Sequence, residues 1–212
     1  MSASATPDWA VAEIIRAGQR MDARGWVPAT AGNISVRIGR REHEQPRIAI
    51  TASGHHKGFL TEGAVMQVDI AGNPLTHGKP SAETLLHCQI YSTFPEAGAV
   101  LHGHSVPGTV LSMRTEAPAI SFAGYELLKA FEGQTTHETS LDLPLFDNDQ
   151  DMPRLAGVIA PLLPACTLGY LIRGHGVYVW GPTMDTALAR LEGLEFLLAC
   201  ELERRRLPRC AV

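Results

Sequence analysis

The sequence predicts an α/β fold, with a central sheet rich in antiparallel pairs and helices packed on its faces. Three observations lead there. Helix-period and strand-period stretches interleave along the chain. Several β-rich runs are separated by turns too short for a crossover helix, which parallel pairing would need. And LGYLIRGHGVYVWG places two apolar, β-rich runs around Arg173-Gly174-His175-Gly176, the pattern of a hairpin.

The elements follow in order. A first helix runs from about Asp8 to Arg24: Thr6 is a suitable cap, Pro7 suits the first position and Gly25 a stop. Val11, Ile14, Ile15, Gly18 and Met21 form its buried stripe. ISVRI and RIAIT alternate and are β-branched, so they read as paired strands joined by the polar stretch GRREHEQP. AVMQVDI reads as another strand and AGNPLTHGKP as a turn region. SAETLLHCQIYSTF reads as a helix capped by Ser81, AGAVLHGHS as a strand running into a loop, and VPGTVLSMRT as a short helix. YELLKAFEG fits neither period clearly. A long helix begins near Thr183, with Leu188, Leu191, Leu194, Leu198 and Leu202 on a broad apolar face.

The chain has 212 residues, 45 % hydrophobic and 19 % charged, which fits one globular domain spanning 1–212 with a full core. The net charge is −4, and the densest cationic run, ERRRLPR, follows a helix whose negative end it suits, so nucleic acid is not an expected partner. No apolar run reaches the ~18 residues of a membrane span, and no signal peptide opens the chain. Cys88, Cys166, Cys200 and Cys210 form no C-x-x-C pair, so neither a cysteine zinc site nor a disulfide is signalled. A cytoplasmic setting is the expectation.

The candidate chemistry sits in histidines. On a strand, residues i and i+2 face one side, so His102 and His104 of AGAVLHGHS can grip one metal ion. Taken alone, such a pair more often only closes a strand. His175, flanked by glycines that let backbone approach closely, supplies a third candidate. Three histidines with an open position form a known catalytic zinc arrangement. His43, His55, His56, His77, His87 and His137 read as surface or loop residues. AGNIS and TASGHHKG are small-residue loops beside strands whose N–H groups and hydroxyls suit an anion, with Lys57 read as a solvated side chain.

The ordered set GNIS, TASG, PSAE, HGHS and RGHGVYVWG resembles the class II aldolase/adducin family, over nearly the whole chain from about Asp8 to Arg206. The resemblance implies a three-layer α/β/α fold with a mixed, mostly antiparallel sheet. It implies one zinc ion per subunit on His102, His104 and His175, and a substrate phosphate at Gly32, Asn33, Ser53, Gly54 and Ser81. Glu83 matches the acidic residue that serves as acid/base or metal neighbour in the aldolases. Glu126 matches the glutamate that does acid/base work in a dehydratase branch, lyases that remove water from a methylthio ketose phosphate in methionine salvage, so the resemblance makes Glu126 the first candidate for the proton transfers and Glu83 the second. RGWVPATAGNIS and RGHGVYVWG resemble that branch in particular. The implied partner is a small sugar phosphate, and the implied assembly a homotetramer with sites near subunit boundaries.

The match has departures. Ala82 replaces a serine in the usual Pro-Ser-Ser-Glu, and some dehydratases carry cysteine where this chain has Glu83. Both glutamates would serve better with pKa values raised by burial. Phe122, Tyr125 and Leu145 are candidates for a methylthio pocket, although core packing explains them equally well. A sugar-phosphate aldolase or epimerase, and a non-catalytic module like the adducin head, are the alternatives.

Overall fold

The computed structural model describes residues 5–39 and 46–207. His43, Cys210 and most of the GRREHEQP connection lie outside the described residues. The strands are β1 (Asn33–Ile38), β2 (Arg47–Thr51), β3 (Val65–Asp69), β4 (Ala99–Gly103), β5 (Ala119–Ala123), β6 (Ser140–Phe146), β7 (Tyr170–Ile172) and β8 (Val177–Gly181). They form one sheet in the order β3-β2-β1-β4-β8-β7-β6-β5. The β6–β7 pair is parallel and the other neighbours are antiparallel, so the sheet is mixed and mostly antiparallel as expected.

The helices are α1 (Asp8–Ala23), α2 (Thr84–Thr93), α3 (Val106–Arg114), α4 (Met152–Ile159) and α5 (Met184–Arg206). Strand alternation sends successive side chains to opposite faces, and two cores result. Ile34, Val36, Leu101, Val177 and Val179 pack with α1, α3 and α5. Ile48, Ile50, Val100, Tyr178 and Trp180 pack with α2 and α4. This is the three-layer arrangement. None of the described helices is long and apolar enough to cross a membrane.

Two expected caps are corrected. Pro7 occupies the cap position of α1 without a side-chain bond, and the Thr6 hydroxyl instead accepts from Gln67 Nε2 at 3.2 Å. Ser81 does not cap α2, which begins three residues later at Thr84 with Glu83 in the cap position. The Ser81 hydroxyl donates to the Glu83 carboxylate at 3.0 Å, so it orients an acid rather than a helix end. Thr183 does cap α5, accepting from Thr186 N–H at 3.1 Å. YELLKAFEG holds a 3₁₀ helix over Glu126–Ala130.

β5, β6 and α4 were not anticipated. Pro144 sits inside β6, and proline ordinarily argues against an interior strand because it lacks a ladder donor. Helix α4 is a short MPRLAGVI with a proline in its first turn, capped by Asp151 accepting from Arg154 N–H at 3.0 Å.

One buried charge is left without good company. Glu195 of α5 is 3 % exposed, and its carboxylate oxygens lack a well-formed hydrogen bond. Burial pushes its pKa from 4.5 up to about 7, only partly opposed by the Ser105 hydroxyl. A carboxyl whose folded pKa is raised binds its proton more tightly in the folded state, so stability declines as pH climbs from the unfolded value through the folded one. Glu195→Gln should therefore melt near wild type at pH 5 and higher than wild type at pH 8, by up to about 3 kcal/mol. Thermal melts across that range test this; a gap that does not change with pH contradicts it.

Candidate metal centre and active site

The β4–β8 pairing sets the site. Gly103 lies opposite Val177 and His102 opposite Tyr178, so the turn that enters β8 stands over the end of β4. Gly176 permits the approach: a Cβ there would lie 2.3 Å from the Gly103 carbonyl oxygen and 2.8 Å from His102 Cε1. Gly174, at φ +63°, turns the chain, and its N–H donates to the Ser112 hydroxyl of α3 at 2.9 Å. The Arg173 guanidinium donates to the Ser112 carbonyl at 2.6 Å and also to that of Thr115. His104 falls one residue past β4, where its N–H donates to the Trp26 carbonyl at 2.6 Å.

The three rings consequently meet. Their centroids are 4.6 Å apart for His102 and His104, 5.1 Å for His102 and His175, and 4.8 Å for His104 and His175. Glu83, at the start of α2, completes the group, and one donor atom from each of the four residues lies within 4.8 Å of the others. The Glu83 Oε1 atom lies 3.1 Å from His175 Nε2 and 4.0 Å from His102 Nε2. Its Oε2 atom accepts from Ser81 at 3.0 Å and from the Asn33 amide.

This donor set fits a metal ion. The Nδ1–H of His102 donates to the Val177 carbonyl at 3.0 Å, which leaves Nε2 with its lone pair free. The Nε2 atoms of His102 and His104 are both buried without a hydrogen-bond partner, an expensive arrangement unless a cation fills the gap. Burial drives His102 well below its ordinary pKa and, with His175 adding to it, lowers His104 to about 4, so both are neutral as ligation requires. Burial works against the Glu83 charge. The hydrogen bonds from His175 and Ser81 outweigh it, and Glu83 stays ionised below the usual carboxylate range.

The other expected residues separate into those at the centre and those away from it. Gly32 takes φ +80°, and a Cβ there would lie 2.7 Å from the His102 carbonyl oxygen. Asn33 pairs with His102 across β1–β4 and holds Glu83. Gly54 takes φ +83°, and Ser53 N–H donates to the Lys79 carbonyl at 2.9 Å, which brings that loop beside Ser81. Lys57 is not solvated. It is 1 % exposed, with Nζ donating to the Thr30 and His55 carbonyls at 2.8 Å each, and burial lowers it to about 8 against the pull of Glu83. His87 is not a surface residue either: fully buried, it meets the Ser35 hydroxyl at 2.7 Å, and burial lowers it to about 4.

Glu126 is not part of the cluster within this chain. It lies on the exposed 3₁₀ helix, bonded to Lys129 at 2.6 Å and 3.8 Å from His137, beside a different groove lined by Trp26 and Phe196. Its Lys129 hydrogen bond lowers its pKa, so neither glutamate has the raised value expected of a buried acid. Phe122 and Leu145 are core residues, and the Tyr125 hydroxyl is bonded to Glu201 at 2.8 Å. The cleft at the cluster, about 340 Å³, is lined instead by Ala82, Asn148, Gln150 and Met152 with Glu83, His104 and His175. Asn148 Oδ1 lies 3.4 Å from His175 Nδ1. These residues carry no signal in the sequence, because DNDQDM is a polar connection with no periodicity.

A mixed sheet with a three-histidine, one-carboxylate cluster at one end of β4 describes an α/β scaffold with a candidate metal site. Residues 12–202 match the family described as Class II Aldolase and Adducin N-terminal domain, and the chain belongs to that family. A methylthioribulose-1-phosphate dehydratase from Granulibacter bethesdensis is 66 % identical over 208 residues, covering 95 % of this chain and 94 % of the relative. A protein of the same name from Gluconacetobacter diazotrophicus is 62 % identical, covering 96 % and 98 %. Among solved structures, an L-fuculose 1-phosphate aldolase shares the fold at TM-score 0.78 and 21 % identity, covering 96 % of this chain and 92 % of its own.

Three variants test the cluster. His104→Ala should lose the metal, about one ion per chain in the parent, whereas Glu126→Gln should keep it. Gly176→Ala should cost about 2–4 kcal/mol of stability and reduce metal content, because its Cβ meets backbone and a ligand ring together. Metal analysis and thermal melts of purified protein check all three; full metal content in either His104→Ala or Gly176→Ala contradicts the assignment.

Proposed function

We propose that this protein removes water from 5-methylthioribulose 1-phosphate to give the 5-methylthio-2,3-diketopentyl 1-phosphate of methionine salvage. The metal is zinc, held by His102, His104 and His175. The observation that carries this reading is the intact donor cluster in a chain 66 % identical, over 95 % of its length, to a relative bearing that name. The complete donor set speaks against a binding module without catalysis. When bound, zinc supplies the positive charge that makes the C–H beside a carbonyl acidic enough to remove.

Glu83 performs the proton transfers. Its Oε2 is fixed by Asn33 and Ser81, while Oε1 faces the histidines and the cleft. The carboxylate takes the proton from carbon 3 of the ketose, the C–H electron pair becomes the carbon 2–carbon 3 double bond, and the carbonyl π pair moves onto the carbon 2 oxygen. That pair then re-forms the carbonyl, the double bond shifts to carbon 3–carbon 4, and the carbon 4 hydroxyl leaves as water, taking the proton held by Glu83. The carbon 3 enol loses its hydroxyl proton and gains one at carbon 4, giving the 2,3-diketone. The buried Met152 side chain and the exposed Ala82 methyl in the cleft wall offer apolar contact for the methylthio group.

The phosphate is received by Gly32, Asn33, Ser53, Gly54 and Ser81. The protein works as a cytoplasmic homotetramer, and Glu126 takes part only if a neighbouring subunit brings it to the cluster. The exposed apolar side chains Val106, Met113 and Phe196 provide surface for such contacts.

The test is an assay of metal-loaded protein with 5-methylthioribulose 1-phosphate and, separately, with L-fuculose 1-phosphate. Diketone from the first and no cleavage of the second is expected; dihydroxyacetone phosphate from either would overturn the assignment. Glu83→Gln should lower kcat by about 10²-fold or more, as loss of a general base does. If Glu126→Gln alone abolishes turnover while Glu83→Gln retains it, the proton transfers belong to Glu126.

A further inference from the structure

Lys57 presents an electrostatic imbalance outside the metal cluster. Its ammonium is 1 % exposed. No carboxylate lies within ion-pair distance of it among the described residues. It is tied to the cluster by geometry: its Nζ bonds the carbonyl of Thr30, three residues before the Asn33 whose amide holds Glu83. Two carbonyl oxygens, those of Thr30 and His55, accept from Nζ at 2.8 Å each. Carbonyls satisfy N–H groups but leave the positive charge uncompensated, and a buried charge of that kind is costly.

The position of the two carbonyls is informative. Thr30 precedes Gly32-Asn33, and His55 follows Ser53-Gly54. One ammonium therefore ties together two loops, each with a glycine at positive φ. The backbone that carries Lys57 is itself pressed onto α1. A Cβ on Gly18 would lie 2.3 Å from the Lys57 carbonyl oxygen, and one on Gly58 would lie 2.2 Å from Asp22 Oδ2. The lysine is thus held in place at its main chain and at its tip.

We propose that Lys57 is a phosphate-recognition residue, whose ammonium fixes the spacing of the 30–33 and 53–55 loops and receives the phosphate monoester of the substrate as its missing counter-ion. The idea rests on the proposed function for the identity of the substrate, but not for the presence of an anion site. A buried ammonium with two fixed acceptors retains a third N–H, and loop N–H groups and hydroxyls add the neutral donors an anion needs. The role is in binding, not in proton transfer, so it separates KM from kcat.

The test uses metal-loaded full-length protein and inorganic phosphate as the probe, titrated calorimetrically, alongside steady-state kinetics. Lys57→Met should weaken phosphate binding at least tenfold and raise KM for the ketose phosphate by a similar factor, with kcat within threefold and metal content unchanged. Lys57→Arg, which keeps the charge, should recover a substantial part of the phosphate affinity. Should Lys57→Met fail to fold, Lys57→Gln against Lys57→Arg gives the same comparison. Phosphate affinity and KM unchanged in the neutral variant, with only a lower melting temperature, would make Lys57 a structural staple and overturn the proposal. Phosphate binding lost with Lys57 but no turnover of 5-methylthioribulose 1-phosphate by the parent would uphold the anion site and overturn only the substrate assignment.

Discussion

The register between β4 and β8 is the constraint on which the site depends. With Gly103 opposite Val177, the turn entering β8 comes down on the end of β4, and residue 176 has room only for hydrogen on its Cα. A one-residue slip would send Tyr178 to the other face and carry His175 away from His102 and His104. Both surroundings resist such a slip. Tyr178 stacks on His102 at 4.0 Å between centroids and on Tyr170 at 4.8 Å, while Val177 and Val179 are fixed in the opposite core. The geometry of the cluster is therefore inherited from the packing of a whole sheet, which is what a preorganised ligand set requires.

Charge is distributed with the same economy. Burial keeps His102 and His104 neutral, so their lone pairs are available, and hydrogen bonds from His175 and Ser81 keep Glu83 ionised. The acid is oriented from its far oxygen by Asn33 and Ser81, which leaves the near oxygen for chemistry. On the buried face of α2, His87 Nδ1 and the Tyr91 hydroxyl both bond the Ser35 hydroxyl of β1, at 2.7 and 2.9 Å, which ties the helix to the sheet. This tie gives the N-terminal turn of α2, and with it Glu83, a rigid support.

Much of this was legible in the sequence, for physical reasons that differ by element. The metal histidines could be read because H-x-H at a strand end and Gly-His-Gly in a hairpin each restrict backbone geometry. The five motifs in order then tied them to one family. The strands ISVRI and RIAIT and the long leucine-faced α5 carried strong periods. By contrast β6, broken by Pro144, and the short α4 carried weak ones, and the cleft residues Asn148, Gln150 and Met152 on their connection went unseen with them. Lys57 and His87 were misread because a charged or polar residue usually faces water. Their burial depends on partners about 27 and 52 residues away, which no local pattern reveals. Glu126 was named through family likeness, and the fold of one chain sets it on an exposed 3₁₀ helix away from the cluster.

The central claim is that three imidazoles, one from the end of β4, one just beyond it and one from the β7–β8 turn, bind a single ion together. X-ray absorption at the metal edge of the purified, zinc-loaded protein tests it most directly. The account predicts a first coordination shell of nitrogen and oxygen with the multiple-scattering signature of three imidazoles. A shell containing sulfur, or one with a single imidazole, would contradict it.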